Sequence, residues 1–106
     1  MQTHDAVKIA IVAEKLIQKQ IIAIMEAAGA TGYSVFEGDG RGAQGPHPVH
    51  RPSMVVNEFA IVKIESVVAS RETADKIAEE VSTRFFETHP CIVYLSAVEV
   101  LRPSKF

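Results

Sequence analysis

The sequence contains little that would suit a secreted or membrane-spanning protein. It has one cysteine among 106 residues, Cys91, so no disulfide can form within the chain, and a reducing, cytoplasmic setting is predicted. No apolar run approaches the ~20 residues that a membrane-spanning helix needs. The N-terminus lacks the basic region and apolar stretch of a signal peptide. We therefore expect neither export nor a membrane span.

A strong excess of charge is also missing. The sequence has eleven lysines and arginines and 13 aspartates and glutamates, which gives a formal net charge of −2. Nucleic-acid binding through phosphate neutralisation is therefore not expected. The hydrophobic fraction of 47% is ordinary for a globular protein, and the length suits a single domain covering residues 1–106.

Glycine and proline are concentrated in one segment, approximately residues 38–57. It holds four of the six glycines and three of the five prolines, and it has no apolar period. Structureless loops of about twenty residues are uncommon in compact domains and are usually functional or disordered. The sequence predicts a long glycine-rich loop here, in which residues 38–53 are mobile without ligand.

Apolar periodicity predicts four strands and two helices around this loop. Gly29 is expected to end the first helix and Ser70 to cap the start of the second. The order strand, helix, strand, strand, helix, strand predicts an α+β ferredoxin-like sandwich. The expected strands are 7–13, 32–37, 58–69 and 91–101, the expected helices are 14–28 and 71–86, and residues 102–106 form a short tail.

Two helices can cover only one face of a four-stranded sheet. In the fourth strand both alternate sets of residues are apolar, with Val93 and Leu95 on one side and Ile92 and Tyr94 on the other. A large exposed apolar patch is unusual on a monomer, so the open faces are expected to associate with closed symmetry. The alternative is that these residues are simply half exposed.

Two segments could bind an anion. Gly38, Gly40 and Gly42 alternate around Arg41, which would let backbone N–H groups and a guanidinium face one phosphate or carboxylate. Arg102 and Lys105 follow the last strand and could complete such a site. The alternatives are a flexible turn and a frayed tail.

Metal binding and catalysis have weaker support. His47 and His50 have a spacing that could hold zinc, copper or nickel, but no third ligand accompanies them. Cys91 is expected to be buried and inert. There is no paired-carboxylate motif, nucleophile elbow or catalytic Cys/His spacing. A metal-binding trimer of ferredoxin-like shape (CutA-like) and a small α+β enzyme remain open as alternatives.

The segment 28–37 (AGATGYSVFE), the glycine-rich loop and the later segment 60–65 (AIVKIE) together resemble the PII signal-transduction superfamily. In that superfamily, a segment made of a glycine, an aromatic residue, a serine or threonine, and a valine leads into a mobile loop, the T-loop. The opening 11–16 (IVAEKL) and the closing 98–106 (VEVLRPSKF) are similar to the PII-like branch, which includes SbtB, the partner of a cyanobacterial bicarbonate transporter, and carboxysome-associated PII proteins. The resemblance covers nearly the whole chain.

The resemblance implies a non-catalytic regulatory homotrimer that needs no cofactor. Ligands would bind in three clefts between subunits: AMP, ADP, ATP or cyclic AMP, and in the carboxysome-associated group bicarbonate as well. The regulated partner would be a bicarbonate transporter or a carboxysome component. Matched position by position, the implied nucleotide-binding residues are Gly32, Tyr33, Ser34, Val35, Gly40, Arg41, Gly42, Arg102 and Lys105.

Several positions depart from the family pattern. Ala43 and Gln44 stand where transporter-associated relatives have a serine–arginine pair, and Arg51 is the expected substitute for phosphate contact. The loop has no tyrosine for uridylylation. His89 and Pro90 lie where nitrogen-regulatory members have a glycine-rich loop with a lysine, so tight binding of Mg-ATP with 2-oxoglutarate is not expected.

Overall fold

Strands and helices follow one another in the predicted order. The computed structural model describes residues 1–38 and 60–102, so the predicted loop lies mostly outside it. The four strands form one antiparallel sheet in the order β2-β3-β1-β4 with two helices on one side, which confirms the ferredoxin-like sandwich. The elements are β1 His4–Glu14, α1 Gln18–Ala27, β2 Ser34–Gly38, β3 Ile61–Val68, α2 Arg71–Phe85 and β4 Cys91–Val100.

The largest error in the predicted boundaries is at the start of the first helix. We expected a helix from residue 14, but Glu14 still pairs with Ile61 in the sheet, and a 3₁₀ turn, Lys15–Ile17, precedes α1. Ile17 has φ −106° and ψ 13°, outside the α-helical region, so α1 can begin only after it. The first strand is also longer than predicted, because β4 pairs with it as far as His4.

Both predicted helix caps are confirmed. Gly29 has φ +104°, which favours glycine, and its N–H donates to the Glu26 carbonyl while that of Ala30 donates to the Met25 carbonyl. These two bonds form a Schellman motif that ends α1. At the other helix, the Ser70 hydroxyl accepts a hydrogen bond from the Thr73 backbone N–H at 3.2 Å.

The helix-covered face of the sheet holds the hydrophobic core. Alternate residues of β1 and β3 point to it, and α2 adds the buried side chains of Ala74, Ile77, Val81 and Phe85. Burying this apolar area is the main favourable term in folding. The fully buried large side chains are Ile9, Ile11, Ile17, Ile21, Met25, Ile64, Ile77, Val62 and Val81.

The other sheet face, which we call the open face, has no helix over it among the described residues. Phe36 is 51% exposed and Ile92 61% exposed, and they lie in one cross-strand row with Lys63 and Val12. Within the described residues, the sheet therefore has the expected uncovered apolar face. No helix in the described part of the chain is long and apolar enough to cross a membrane.

Candidate functional site

The segment between α1 and β2 is attached to the edge of β3 by one side chain. Ser66 lies at an inward position of β3 that is otherwise apolar, and its hydroxyl donates to the Gly32 carbonyl at 2.6 Å. This contact ties Gly32 to β3 without sheet pairing, and β2 begins at Ser34 rather than at the predicted Gly32.

A hollow of about 180 Å³ opens where β2 begins. We call it the β2–β3 hollow; it is lined by residues 32–34 on one side and 65–67 on the other. Ser34 pairs with Glu65, and no β2 residue pairs with Ser66 or Val67. Backbone polar groups of successive strand residues point to opposite sides, so one of these two directs its N–H and C=O toward the hollow. The hollow thus offers a peptide edge that can donate and accept hydrogen bonds.

Glu65 supplies the charge of the hollow. Its carboxylate lies 3.1 Å from the Lys63 ammonium and 3.8 Å from that of Lys8, on the open face. The hydrogen bond and negative charge of Glu65, with a smaller contribution from Tyr94, raise the pKa of Lys63. Lys63 also lies 5.3 Å from the centre of the Phe36 ring, within cation–π range. An acceptor held by two cations therefore borders the hollow.

A second polar contact lies at the other end of β2. The Lys15 ammonium is 2.5 Å from the Glu37 carboxylate, and the Lys15 backbone N–H donates to the Ala60 carbonyl at 2.8 Å. Glu37 and Ala60 lie close to the two ends of the 39–59 segment. Lys15 therefore contacts the chain on both sides of that segment.

The structure brings three of the predicted site residues together. Gly32, Tyr33 and Ser34 line the hollow, whereas Val35 pairs with Ile64 and packs against the core. Arg102 follows β4, at the edge of the sheet opposite β2, so a single chain does not bring it to the hollow. The other expected residues lie outside the described part of the chain: Gly40, Arg41, Gly42, Arg51, Lys105, and the metal candidates His47 and His50.

Sequence reasoning missed the β3 half of the hollow and the Lys15–Glu37 pair. One signal was available: Ser66 falls at an inward position between Ile64 and Val68, where an apolar residue is expected. A buried hydroxyl needs a partner, and that partner lies on a neighbouring segment. The ion pair left no such signal, because its residues are 22 positions apart.

The remaining features do not add a second chemical site. Cys91 is half-buried rather than buried as expected, and desolvation raises the pKa of its thiol to about 11, so it is a poor nucleophile and metal ligand. Within residues 1–38 and 60–102, no three histidine, cysteine, aspartate or glutamate side chains could hold one metal ion. A larger cavity, about 510 Å³, is lined by apolar residues of α1 and by four charged residues of α2, of which Glu80 and Arg84 form an ion pair.

Several solved structures share the fold of this chain over nearly its whole length. A PII-like signalling protein from Thermus thermophilus is 26% identical, with a TM-score of 0.82 and coverage of 100% of this chain and 99% of the other. CPII from Thiomonas intermedia, a nitrogen regulatory PII-like protein bound to ADP, AMP and bicarbonate, is 25% identical, with a TM-score of 0.86 and coverage of 99% and 96%. CPII bound to ADP and bicarbonate has the same fold, with a TM-score of 0.82, 24% identity and coverage of 99% and 97%.

A sequence profile agrees with these structural likenesses. The profile of the family described as nitrogen regulatory protein P-II matches residues 6–105, which includes every strand from the third residue of β1 onward and both helices. The chain therefore belongs to the nitrogen regulatory P-II family and is similar to its PII-like branch.

Proposed function

We propose that the chain is a non-catalytic regulator that binds AMP or ADP between the subunits of a homotrimer. The observation that carries this proposal is the β2–β3 hollow, which forms at the residues Gly32, Tyr33 and Ser34 that the family resemblance assigns to the nucleotide. The likeness to CPII, which holds ADP, AMP and bicarbonate, supports the same ligand class.

The chemistry of the hollow suits an adenine nucleoside. A purine edge carries both an acceptor and an amino donor, and the unpaired peptide edge at Ser66 or Val67 can meet both. The Ser34 hydroxyl and the Glu65 carboxylate, which line the same hollow, can bond ribose hydroxyls. Tyr33 is 43% exposed and offers an aromatic surface beside the base.

The size of the hollow supports a site shared between subunits. At about 180 Å³ it is smaller than the roughly 300–1,000 Å³ of sites that enclose a small molecule. The β2 edge of the sheet can take only part of a nucleotide, so further surface must come from outside the hollow, and a neighbouring chain can supply part of it. In a closed ring, a β2 edge can meet the β4 edge of the next subunit. Arg102, which follows β4, would then reach the ligand from the neighbour.

Burial of the open face would favour assembly. Its exposed Phe36, Ile92 and Tyr94 are large apolar side chains that a partner surface would remove from water. We assign the phosphates to the region of Gly40, Arg41, Gly42 and Arg51, with Lys105 and Arg102 as further cationic groups. The regulated process is inorganic-carbon uptake or carboxysome metabolism in the cytoplasm, with bicarbonate as a second ligand.

Thermal unfolding with AMP, ADP, adenosine and bicarbonate tests the ligand class. A ligand that binds only the folded protein stabilises it by RT ln(1 + [L]/Kd), so the melting temperature should rise steadily with ADP concentration. Ser34→Leu fills the hollow and should abolish the shift, whereas Thr83→Leu on the exposed side of α2 should retain it. No shift with any adenine nucleotide at millimolar concentration would remove the proposal.

A further inference from the structure

Lys15 connects three strands at the end of the sheet where residues 39–59 depart. It directly follows β1, its N–H bonds the carbonyl of Ala60, which precedes β3, and its ammonium group pairs with Glu37 in β2. One residue thus fixes the end of β1 relative to the end of β2 and the start of β3.

The Lys15–Glu37 ion pair connects the ends of two strands that are not neighbours in the sheet. β1 and β2 are not neighbours, because β3 lies between them: Glu37 pairs with Val62, and Val62 pairs with Ala13 of β1. The other ion pairs between described residues stay within one helix, within one strand or between adjacent strands. This pair is therefore placed to hold β2 in a way that sheet pairing alone does not.

Stability does not account for the pair. The Lys15 side chain is 30% exposed and that of Glu37 is 53% exposed, and ion pairs this accessible to water contribute little to folding. Its effect is local: β2 is a five-residue edge strand, and the pair limits how its last residues, Glu37 and Gly38, can move. Holding a binding group in place before the ligand arrives is one way that proteins gain affinity.

We propose that Lys15 is a positioning residue for the phosphate end of the nucleotide site and that it acts through Glu37. The inference rests on the proposed nucleotide function. Ser34 borders the hollow, and Glu37 lies three residues farther along the same strand, about 10 Å at ~3.3 Å per residue. A nucleoside seated at Ser34 and extending along β2 would bring its phosphates to the level of Glu37. There the lysine both holds the strand and cancels a carboxylate that would repel phosphate.

Calorimetry with ADP and adenosine tests the role, because only ADP presents phosphates. Lys15→Met should weaken ADP about five- to tenfold, within the coupling seen between contacting residues, and should change adenosine affinity less than about twofold. Lys15→Arg, which keeps the pair, should bind ADP like the unchanged protein. In a Glu37→Gln background, Lys15→Met should have no further effect, because the partner through which it acts is already neutral. Arg71→Met breaks the exposed Arg71–Asp75 pair of α2 and should leave both affinities unchanged.

Four outcomes would overturn the inference. Equal losses for ADP and adenosine would make Lys15 a general structural residue, and unchanged ADP affinity in Lys15→Met would remove its role. If the unchanged protein bound adenosine as tightly as ADP, the site would have no phosphate end, and this inference would fail while adenine binding stood. If it bound neither compound, the proposed function would fail first and this inference with it.

Discussion

The two faces of the sheet are built from alternate residues of the same strands, yet residues 1–38 and 60–102 cover only one of them. On the helix-covered face, Ile11 and Ile64 pair across β1 and β3 and have no exposed surface. On the open face, the neighbouring cross-strand row runs from Phe36 through Lys63 to Ile92, with the two end residues more than half exposed. Adjacent positions along one strand therefore have opposite environments.

The two faces therefore differ in role: the helix-covered face stabilises the fold of one chain, and the open face is available for assembly. The helix-covered face packs like the interior of any small domain, and its stability comes from apolar burial. The open face mixes large apolar groups with Lys8, Lys63 and Glu65, a composition closer to an interface than to a core. The β2–β3 hollow includes Glu65 and so adjoins the open face, the face that the proposed trimer would bury.

The largest expected effect is on the helix-covered face. Ile64→Ala should lower the free energy of unfolding by roughly 2–5 kcal/mol, because it leaves a cavity among fully buried neighbours. Denaturant unfolding followed by circular dichroism measures it. Leu16→Ala, at a residue 54% exposed, is the matched control and should stay within about 0.5 kcal/mol. Equal losses for the two variants would contradict the contrast between core and surface.

A charge introduced on the open face should disrupt the trimer and leave the fold of each subunit intact. Ile92→Asp would bury a carboxylate without a partner in the proposed interface, which is costly, whereas in a free chain the side chain would stay in water. Light scattering should show the trimer mass for the unchanged protein and a single-chain mass for the variant, with the same far-ultraviolet dichroism.

Leu16→Asp, which adds the same charge at a similarly exposed residue outside the strands, should remain trimeric. A single-chain mass for the unchanged protein would remove the trimer. A trimeric Ile92→Asp would move the interface away from the centre of the open face.

The adjacent residues Cys91 and Ile92 lie on opposite faces of the sheet and so allow the two faces to be compared. Cys91 packs against the core, and burial raises the pKa of its thiol from an ordinary 9.0 to about 11. Because only the thiolate is alkylated, iodoacetamide at pH 8 should react about 100-fold more slowly than with the unfolded chain, with the rate rising about tenfold per pH unit toward pH 11. Similar rates for folded and unfolded protein would show that the thiol is solvated.

Local patterns were enough to predict the elements and their caps. Alternation in β3 and helical spacing in α2 depend only on neighbours in sequence, and so do the Gly29 and Ser70 caps. The start of α1 was predicted wrongly because pairing of Glu14 with Ile61, a contact between distant segments, keeps the chain extended past the point where helical spacing begins. Propensity yields to tertiary contact at such boundaries.

The site was only half predictable for the same reason. Gly32, Tyr33 and Ser34 were found through the family resemblance, but Glu65 and Ser66 face them only because β2 pairs with β3 in one register. Spacing in the sequence does not reveal that register. The Lys15–Glu37 pair depends in addition on the sheet order, which places one strand between its residues. The roles in nucleotide binding of Gly32, Tyr33 and Ser34, like those of Arg41, Arg102 and Lys105, remain predictions.

The smallest expected effect concerns the cap of α2. Ser70→Ala removes the acceptor of the Thr73 N–H and should cost about 1 kcal/mol of unfolding free energy, measured in denaturant. Ser82→Ala is the matched control: its hydroxyl bonds the Glu79 carbonyl within the helix, where alanine is equally well accommodated, so it should change stability by less than about 0.5 kcal/mol. The cap lies on the helix-covered side, so its cost should be the same in the Ile92→Asp background as in the assembled protein. A cost that depended on assembly would show that the two faces are energetically coupled, against the independence expected of sites that share no partner.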